Sequence, residues 1–284
     1  LICDYNPDRA EVMRKEMGFA RATSDWMDVV NDPKVQLISV CVPNSLHKEI
    51  SVAALAHGKH VWCEKPMSTN LTDSEAMFAA AKTSNAQTIL GYNYTQNPAV
   101  QSARKLIEEG VIGRVIGFYG SYDVDNEADP DRPHSWRMNR EASGSGANVD
   151  VMCHLVSMAH YMTGSAITRL VGDYDTVHKE RSDPQNPGQT LPVDNDDVCT
   201  ALAQFESGIK GTLRVSRVAW GRKCGLRWEI HGSQGMICHD QERLNEIKLY
   251  TRSDDPRQEG FKTILSGPAQ PPYDAFLPNA GHSL

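Results

Sequence analysis

Over the first 93 residues, short apolar runs alternate with helical stretches, and no other feature constrains the fold of this chain more. Residues 37–42, Leu-Ile-Ser-Val-Cys-Val, read as a buried strand, residues 47–57 as a helix ended by Gly58, and His60-Val61-Trp62-Cys63 as the next strand. Residues 71–84 read as a second helix and 88–92 as a third strand. Pro, Gly or Asn flanks each run, which favours strands over pieces of a core helix. Strands that alternate with helices imply parallel βαβ units, here a first domain over residues 1–95.

The texture changes after a connecting helix over residues 98–109. Apolar, β-rich segments follow at 115–124, 168–177, 198–205, 209–218, 226–230 and 247–250. Glu206-Ser207-Gly208 and Gly232-Ser233-Gln234-Gly235 supply turns between them, so a second domain over residues 96–284 is expected to hold an antiparallel sheet. One helix, over 148–162, interrupts it, preceded by Gly144-Ser145-Gly146 and closed by Gly164. Residues 179–192, rich in Pro, Asp, Asn and Gly, read as an exposed loop. A chain of 284 residues has room for two such cores.

A net charge of −7 offers no basic stripe for phosphates, so nucleic acid is not an expected partner. No apolar stretch approaches bilayer length, and no membrane span is expected. The seven cysteines are odd in number, scattered and free of any C-x-x-C spacing. They read as reduced thiols in a cytoplasmic protein, not as a disulfide framework or a zinc site. Asp194, Asp196 and Asp197 lack the spacing and glycine of a calcium loop and read as an acidic turn; no metal is expected.

Several short constellations can carry chemistry. Leu1-Ile2-Cys3-Asp4 looks like a strand ending in an acid, the place where a dinucleotide-binding unit holds the adenosine ribose and favours NAD over NADP; alone, such an Asp is a turn former. Val42-Pro43-Asn44-Ser45-Leu46-His47 leaves a strand and opens a helix, where main-chain N–H groups can hold ribose or pyrophosphate. His47 by itself also fits helix capping or a surface role. In Glu64-Lys65-Pro66 the proline pushes the lysine toward extended backbone, aiming its side chain from a strand end into the crevice where open α/β sheets bind ligands. Asn93, after Gly91-Tyr92, can bond a cofactor or substrate hydroxyl or simply form a turn.

Asp150 and His154 stand four apart and share a face of the expected helix. Asn148 is the expected N-cap, Asp150 falls in the first turn, and Val149, Met152, Val156 and Ala159 form the opposite apolar stripe. The polar pair is expected to look outward, as a solvated ion pair or as a site, and the glycine-rich approach loop favours a site by admitting a ligand closely. Trp136-Arg137 fits a sugar-stacking pair as well as a core Trp beside a surface Arg.

Taken together these marks resemble the Gfo/Idh/MocA family, the glucose-fructose oxidoreductase and inositol dehydrogenase group. The resemblance rests on Asp4 at a strand end, Val42-Pro43-Asn44 with His47, Glu64-Lys65-Pro66, Gly91-Tyr92-Asn93, Trp136-Arg137, and Gly144-Ser145-Gly146 leading to Asp150 and His154. It implies a Rossmann-type doubly wound parallel sheet, truncated at its start, followed by an α/β domain with a large open, mainly antiparallel sheet. It also implies NAD, with NADP as the alternative, and oxidation of a sugar or cyclitol hydroxyl. Lys65, Asp150 and His154 would be catalytic. Asp4, Pro43, Asn44, His47, Glu64, Lys65 and Asn93 would face the cofactor, and Trp136 and Arg137 the substrate.

The glycine fingerprint with its first strand, and a closing helix after Leu284, are expected to lie outside this polypeptide, which predicts weaker cofactor binding than in the full-length protein. Met152 and Ser157 stand where the family often has Gly and Asp. Residues 123–137, with Glu127-Ala128-Asp129-Pro130, look like members acting on anhydrosugars such as levoglucosan. A homo-oligomer formed through the C-terminal sheet is expected. The competing expectation is a regulatory protein that binds dinucleotide or sugar on the same fold without catalysis.

Overall fold

The computed structural model of the chain describes residues 1–252, Asp255, Arg257, 259–267 and Gln270. The closing segment around Leu284 lies outside the described residues. Contacts divide the chain into two units, Leu1–Gly91 with Arg140–Gly144, and Tyr92–Asn139 with the described residues from Ser145 onward. Among the described residues no helix is long and apolar enough to cross a membrane.

Every strand pair of the first unit is parallel. β1 (Ile2–Cys3) pairs with β2 (Ala22–Thr23), while β3 (Leu37–Val40), β4 (His60–Cys63) and β5 (Thr88–Leu90) form a sheet in that order. Helices α1 (Pro7–Met17), α2 (Trp26–Asn31), α3 (His47–Ala56) and α4 (Leu71–Thr83) connect them. The starts follow local chemistry. The Asn6 side chain accepts from the N–H groups of Asp8 and Arg9 with Pro7 just inside the helix, and Asn70 accepts from Asp73 N–H. Ile38, Val40, Ile50, Leu55, Val61 and Met77 form the core between the sheet and its helices. The strand at 37–42, expected to be buried, is shorter and alternates: Ile38 and Val40 are buried, while Leu37 is exposed, as are Trp62 and Ile89 on the neighbouring strands.

In the second unit, α5 (Pro98–Glu108) leads into β6 (Val115–Asp123). The short helix α6 (Arg140–Ser143) clusters with the first unit. The chain then forms α7 (Ala147–Asp150), α8 (Met152–Thr163) and β7 (Ile167–Asp175). Residues 179–192 are not a plain loop: β8 (Glu180–Ser182) and β9 (Thr190–Pro192) pair as a hairpin, which buries Arg181 against the carbonyls of Glu127 and Asp129. A spacing rich in Pro and Gly hides strands of three residues, because so short a run shows no period.

The remaining strands are β10 (Val198–Phe205), β11 (Lys210–Ser216), β12 (Gly225–Gly232), β13 (Gly235–Asp240), β14 (Glu246–Thr251) and β15 (Lys262–Leu265). With β6 and β7 they build one eight-stranded sheet in the order β15-β14-β13-β12-β6-β11-β10-β7. Every pairing is antiparallel except β6 with β11, where Gly117 lies opposite Lys210. Helix α8 lies over β6 and β11. Its buried face is Leu155, Met158, Ala159 and Met162, which meets Phe118, Phe205, Leu213 and Trp228 in a closed core. Each fully buried Leu, Met or Phe there contributes about 1.5–3 kcal/mol.

Candidate active site

The residues expected around a cofactor come from the carboxyl ends of the parallel strands, the side of an open α/β sheet that receives ligands. Asp4 follows β1. Its carboxylate accepts two bonds from Arg9, at 2.7 and 2.8 Å, and a third from Asn6 N–H at 2.9 Å. The Arg9 guanidinium holds the Asp4 carboxyl below the usual range, and the same guanidinium lies over the exposed Tyr5 ring at 5.0 Å.

Pro43 and Asn44 follow β3, and the buried Asn44 amide donates to the Ser143 carbonyl at 2.9 Å. His47, expected among the cofactor contacts, is 1% exposed with both ring nitrogens engaged, Nδ1 at 2.8 Å from the Pro66 carbonyl and Nε2 at 2.9 Å from that of Val42. It therefore braces the turn after β3 against the turn after β4 instead of presenting a free nitrogen to a ligand. Glu64 and Lys65 follow β4, both half-buried, and the Lys65–Pro66 peptide is cis. Gly91, beyond β5, sits so close to Glu64 that a side chain there would meet its carboxylate oxygens at 3.1 Å.

In the second unit the expected helix over 148–162 is two helices broken at Val151. Asn148 lies inside the first turn and does not cap it. The cap comes from 48 residues away: the Asp196 carboxylate accepts from the N–H groups of Gly146 at 3.0 Å and Asn148 at 2.6 Å, and from the Ser145 hydroxyl. Two glycines of the approach loop allow close main-chain packing. A side chain at Gly146 would stand 1.8 Å from the Asp196 carbonyl oxygen, and Gly144 is pressed against the Thr69 main chain at positive φ.

Asp150, half-buried, closes α7. His154 does not look outward: it is 6% exposed, on the buried side of α8 beside Leu155 and Met158. The Tyr94 ring stacks on the imidazole with centroids 4.4 Å apart and a 30° tilt, and Tyr92 and Tyr122 approach it edge-on at 5.9 and 5.8 Å. Sequence reasoning missed this aromatic surround. Tyr94 directly follows the Gly91-Tyr92-Asn93 motif, but Tyr122 is an inward residue of a strand, with no local sign of its neighbour. Asn93 itself is exposed, at the start of the 3₁₀ turn Asn93–Gln96.

A cavity of about 420 Å³ opens beside this helix, lined by Tyr92, Asn148, Met152, Cys153, Val156, Ser157, His160, Leu170, Ala201 and Leu213. The Arg137 guanidinium lies 4.5 Å over the half-buried Trp136 ring. The acidic turn is also more than a turn. Asp197 and Arg217 form a buried ion pair at 2.7 Å, and Asp197 further accepts from the N–H groups of Val177 and His178 while Arg217 donates to Asn195 and to the Arg137 carbonyl.

Two family models match the chain. One described as "Oxidoreductase family, NAD-binding Rossmann fold" covers residues 1–92, and a GFO/IDH/MocA C-terminal domain covers residues 100–238. Levoglucosan dehydrogenase of Pseudarthrobacter phenanthrenivorans is 36% identical, over 98% of this chain and 74% of that protein. Myo-inositol 2-dehydrogenase of Thermotoga maritima is 27% identical, over 89% of this chain and 71% of that one. A solved levoglucosan dehydrogenase in complex with NADH and levoglucosan superposes with a TM-score of 0.92 at 36% identity, over 98% of this chain and 74% of that one. An oxidoreductase domain protein from Kribbella flavida does so with a TM-score of 0.91 at 35% identity, over 98% and 74%. The chain thus spans about three quarters of the length of these relatives.

Proposed function

This chain belongs to the GFO/IDH/MocA oxidoreductases, with an NAD-binding Rossmann unit at its start, and on that premise we propose that it moves a hydride between NAD and a secondary hydroxyl of a sugar or cyclitol. The observation that carries the reading is the gathering of Asp4, Pro43-Asn44 and Glu64-Lys65 at the carboxyl ends of parallel strands, in a chain 36% identical to a levoglucosan dehydrogenase over nearly its whole length. These residues fit a dinucleotide. An acid at the end of β1 suits ribose hydroxyls, and a polar turn opening a helix suits phosphates. NAD, when bound, supplies the hydride-accepting ring.

The protein must then take the hydroxyl proton and stabilise the developing oxyanion. His154 is the proposed base, since an imidazole exchanges protons near neutral pH. Lys65 donates to the reacting oxygen and offsets its charge, and Asp150 orients the hydroxyl or His154. Trp136 and Arg137 are proposed to contact the sugar. An anhydrosugar of the levoglucosan type is the first substrate to try, because the levoglucosan dehydrogenase resembles this chain more than the inositol dehydrogenase does. The cysteine pattern of the sequence supports a cytoplasmic location, and the open face of the sheet supports a homo-oligomer.

Reduced-nicotinamide absorbance, followed while the full-length protein is incubated with NAD and a panel of anhydrosugars, aldoses and inositols, tests the proposal. Turnover is expected on at least one of them. Tight NAD or sugar binding with no turnover on any would favour the non-catalytic binder. Lys65→Ala should lower kcat by about two or more orders of magnitude, as the loss of an oxyanion donor does, with little change in NAD affinity. A variant within a few-fold of wild type would remove Lys65 from the mechanism.

A further inference from the structure

We infer that Tyr94 is a positioning residue for His154, its ring holding the plane of the imidazole and its hydroxyl anchored by Tyr122 and Cys224; the inference rests on the role proposed above for His154. Four separate elements build this arrangement: Tyr94 from the 3₁₀ turn Asn93–Gln96, Tyr122 from β6, Cys224 just before β12, and Gln241 from the turn Gln241–Arg243. The Tyr94 and Tyr122 hydroxyls lie 2.8 Å apart. Each also meets the Cys224 sulfur, at 3.6 and 3.4 Å, and the Gln241 amide donates to that sulfur at 2.9 Å. These bonds hold the tip of the phenol, and with it the position of the ring beside the imidazole, in a largely buried place.

The geometry does more than fill space. The Tyr94 face, 4.4 Å from the imidazole centroid and tilted 30°, is the one near-parallel contact among the three tyrosines around His154. Burial pushes the Tyr94 hydroxyl up to about 12 and that of Tyr122 higher still, so the surround stays neutral at working pH. A neutral π-face beside an imidazole favours the cation that forms when the ring takes a proton. It also keeps the ring in one orientation, so that the accepting nitrogen is already aimed when the alcohol arrives. An aliphatic side chain of similar volume would pack there and do neither.

The test uses steady-state kinetics of the full-length protein with NAD and whichever sugar it turns over. Tyr94→Leu is expected to lower kcat by about 5- to 30-fold, the range for losing such a contact, with KM for the sugar and for NAD within about twofold. Tyr94→Phe keeps the face and should restore kcat to within about threefold of wild type. In a His154→Ala background, Tyr94→Leu should change kcat by less than about twofold, because the ring acts only through the imidazole. An equal loss with and without His154, or a loss that Phe does not repair, overturns the inference while leaving His154 as the base. A His154→Ala variant with wild-type turnover overturns the assignment of His154 itself, and this inference with it. Should Tyr94→Leu fail to fold, Tyr94→Phe and Tyr122→Phe carry the test. The pair should cost no more together than the larger single loss, and additive losses would show that the two hydroxyls do not act as one anchor.

Discussion

A single side chain here means different things according to what its neighbours have already claimed. Asp4 drew attention because an acid at a strand end can bond a ribose, although alone it is a turn former, and its bidentate partner Arg9 shows that the carboxylate is already held within the chain. If Asp4 bonds the ribose, Asp4→Ala should raise the KM for NAD about tenfold, as losing a charge-assisted bond does, and leave kcat nearly unchanged. Glu127 is the opposite case, a carboxyl 1% exposed whose ion-pair partner is Arg132, at 3.2 Å. Burial outweighs the surrounding arginines and raises its proton affinity above the ordinary 4.5. A group whose folded affinity is raised contributes its full stability below its unfolded value and loses it as pH rises through the folded one. Urea midpoints of Glu127→Gln and wild type should therefore agree near pH 4, and the variant should become the more stable of the two toward pH 8. Nothing in the spacing of Glu127-Ala128-Asp129-Pro130 announces such a group, because burial is a property of the packed chain.

Elements were readable wherever a period or a cap decided them. His60–Cys63 and Val198–Phe205 form at the residues the sequence marks, and α3, α4 and α5 end within a residue of expectation. The helix at 148–162 was not: it breaks at Val151, and its cap on Asp196 depends on a loop folded over from far along the chain. A helical pattern without Pro or Gly cannot report a partner that distant. The same loop carries the strongest stability prediction. Removing the Asp197 carboxylate leaves Arg217 charged, 3% exposed and short of its partner, so Asp197→Ala should lose about 3–5 kcal/mol in urea unfolding. Asp197→Ala with an unchanged midpoint would mean that water replaces the carboxylate at no cost.

At the scale of the whole molecule the question is what covers the sheet. One row of facing residues crosses all eight strands on the side away from α8, running Val171, Leu202, Thr212, Tyr119, Glu229, Cys238, Lys248 and Thr263. At its β7 end Val171 is 73% and Leu202 61% exposed. If this face joins copies of the chain, Val171→Asp with Leu202→Asp should shift the protein to monomers in light scattering while NAD binding persists. Unaltered mass would place the interface elsewhere. The sequence alone determined the alternation of parallel βαβ units with a later β-rich domain, the turns between strands, and the strand-end residues, because periodicity and turn chemistry act over a few residues and need no partner. Only the tertiary structure decided that His154 is buried among tyrosines, that Asp196 caps a helix from 48 residues away, and that His47 is spent on bracing two turns. Those outcomes follow from which distant groups meet, and a buried polar atom takes whatever partner the fold brings within hydrogen-bonding reach.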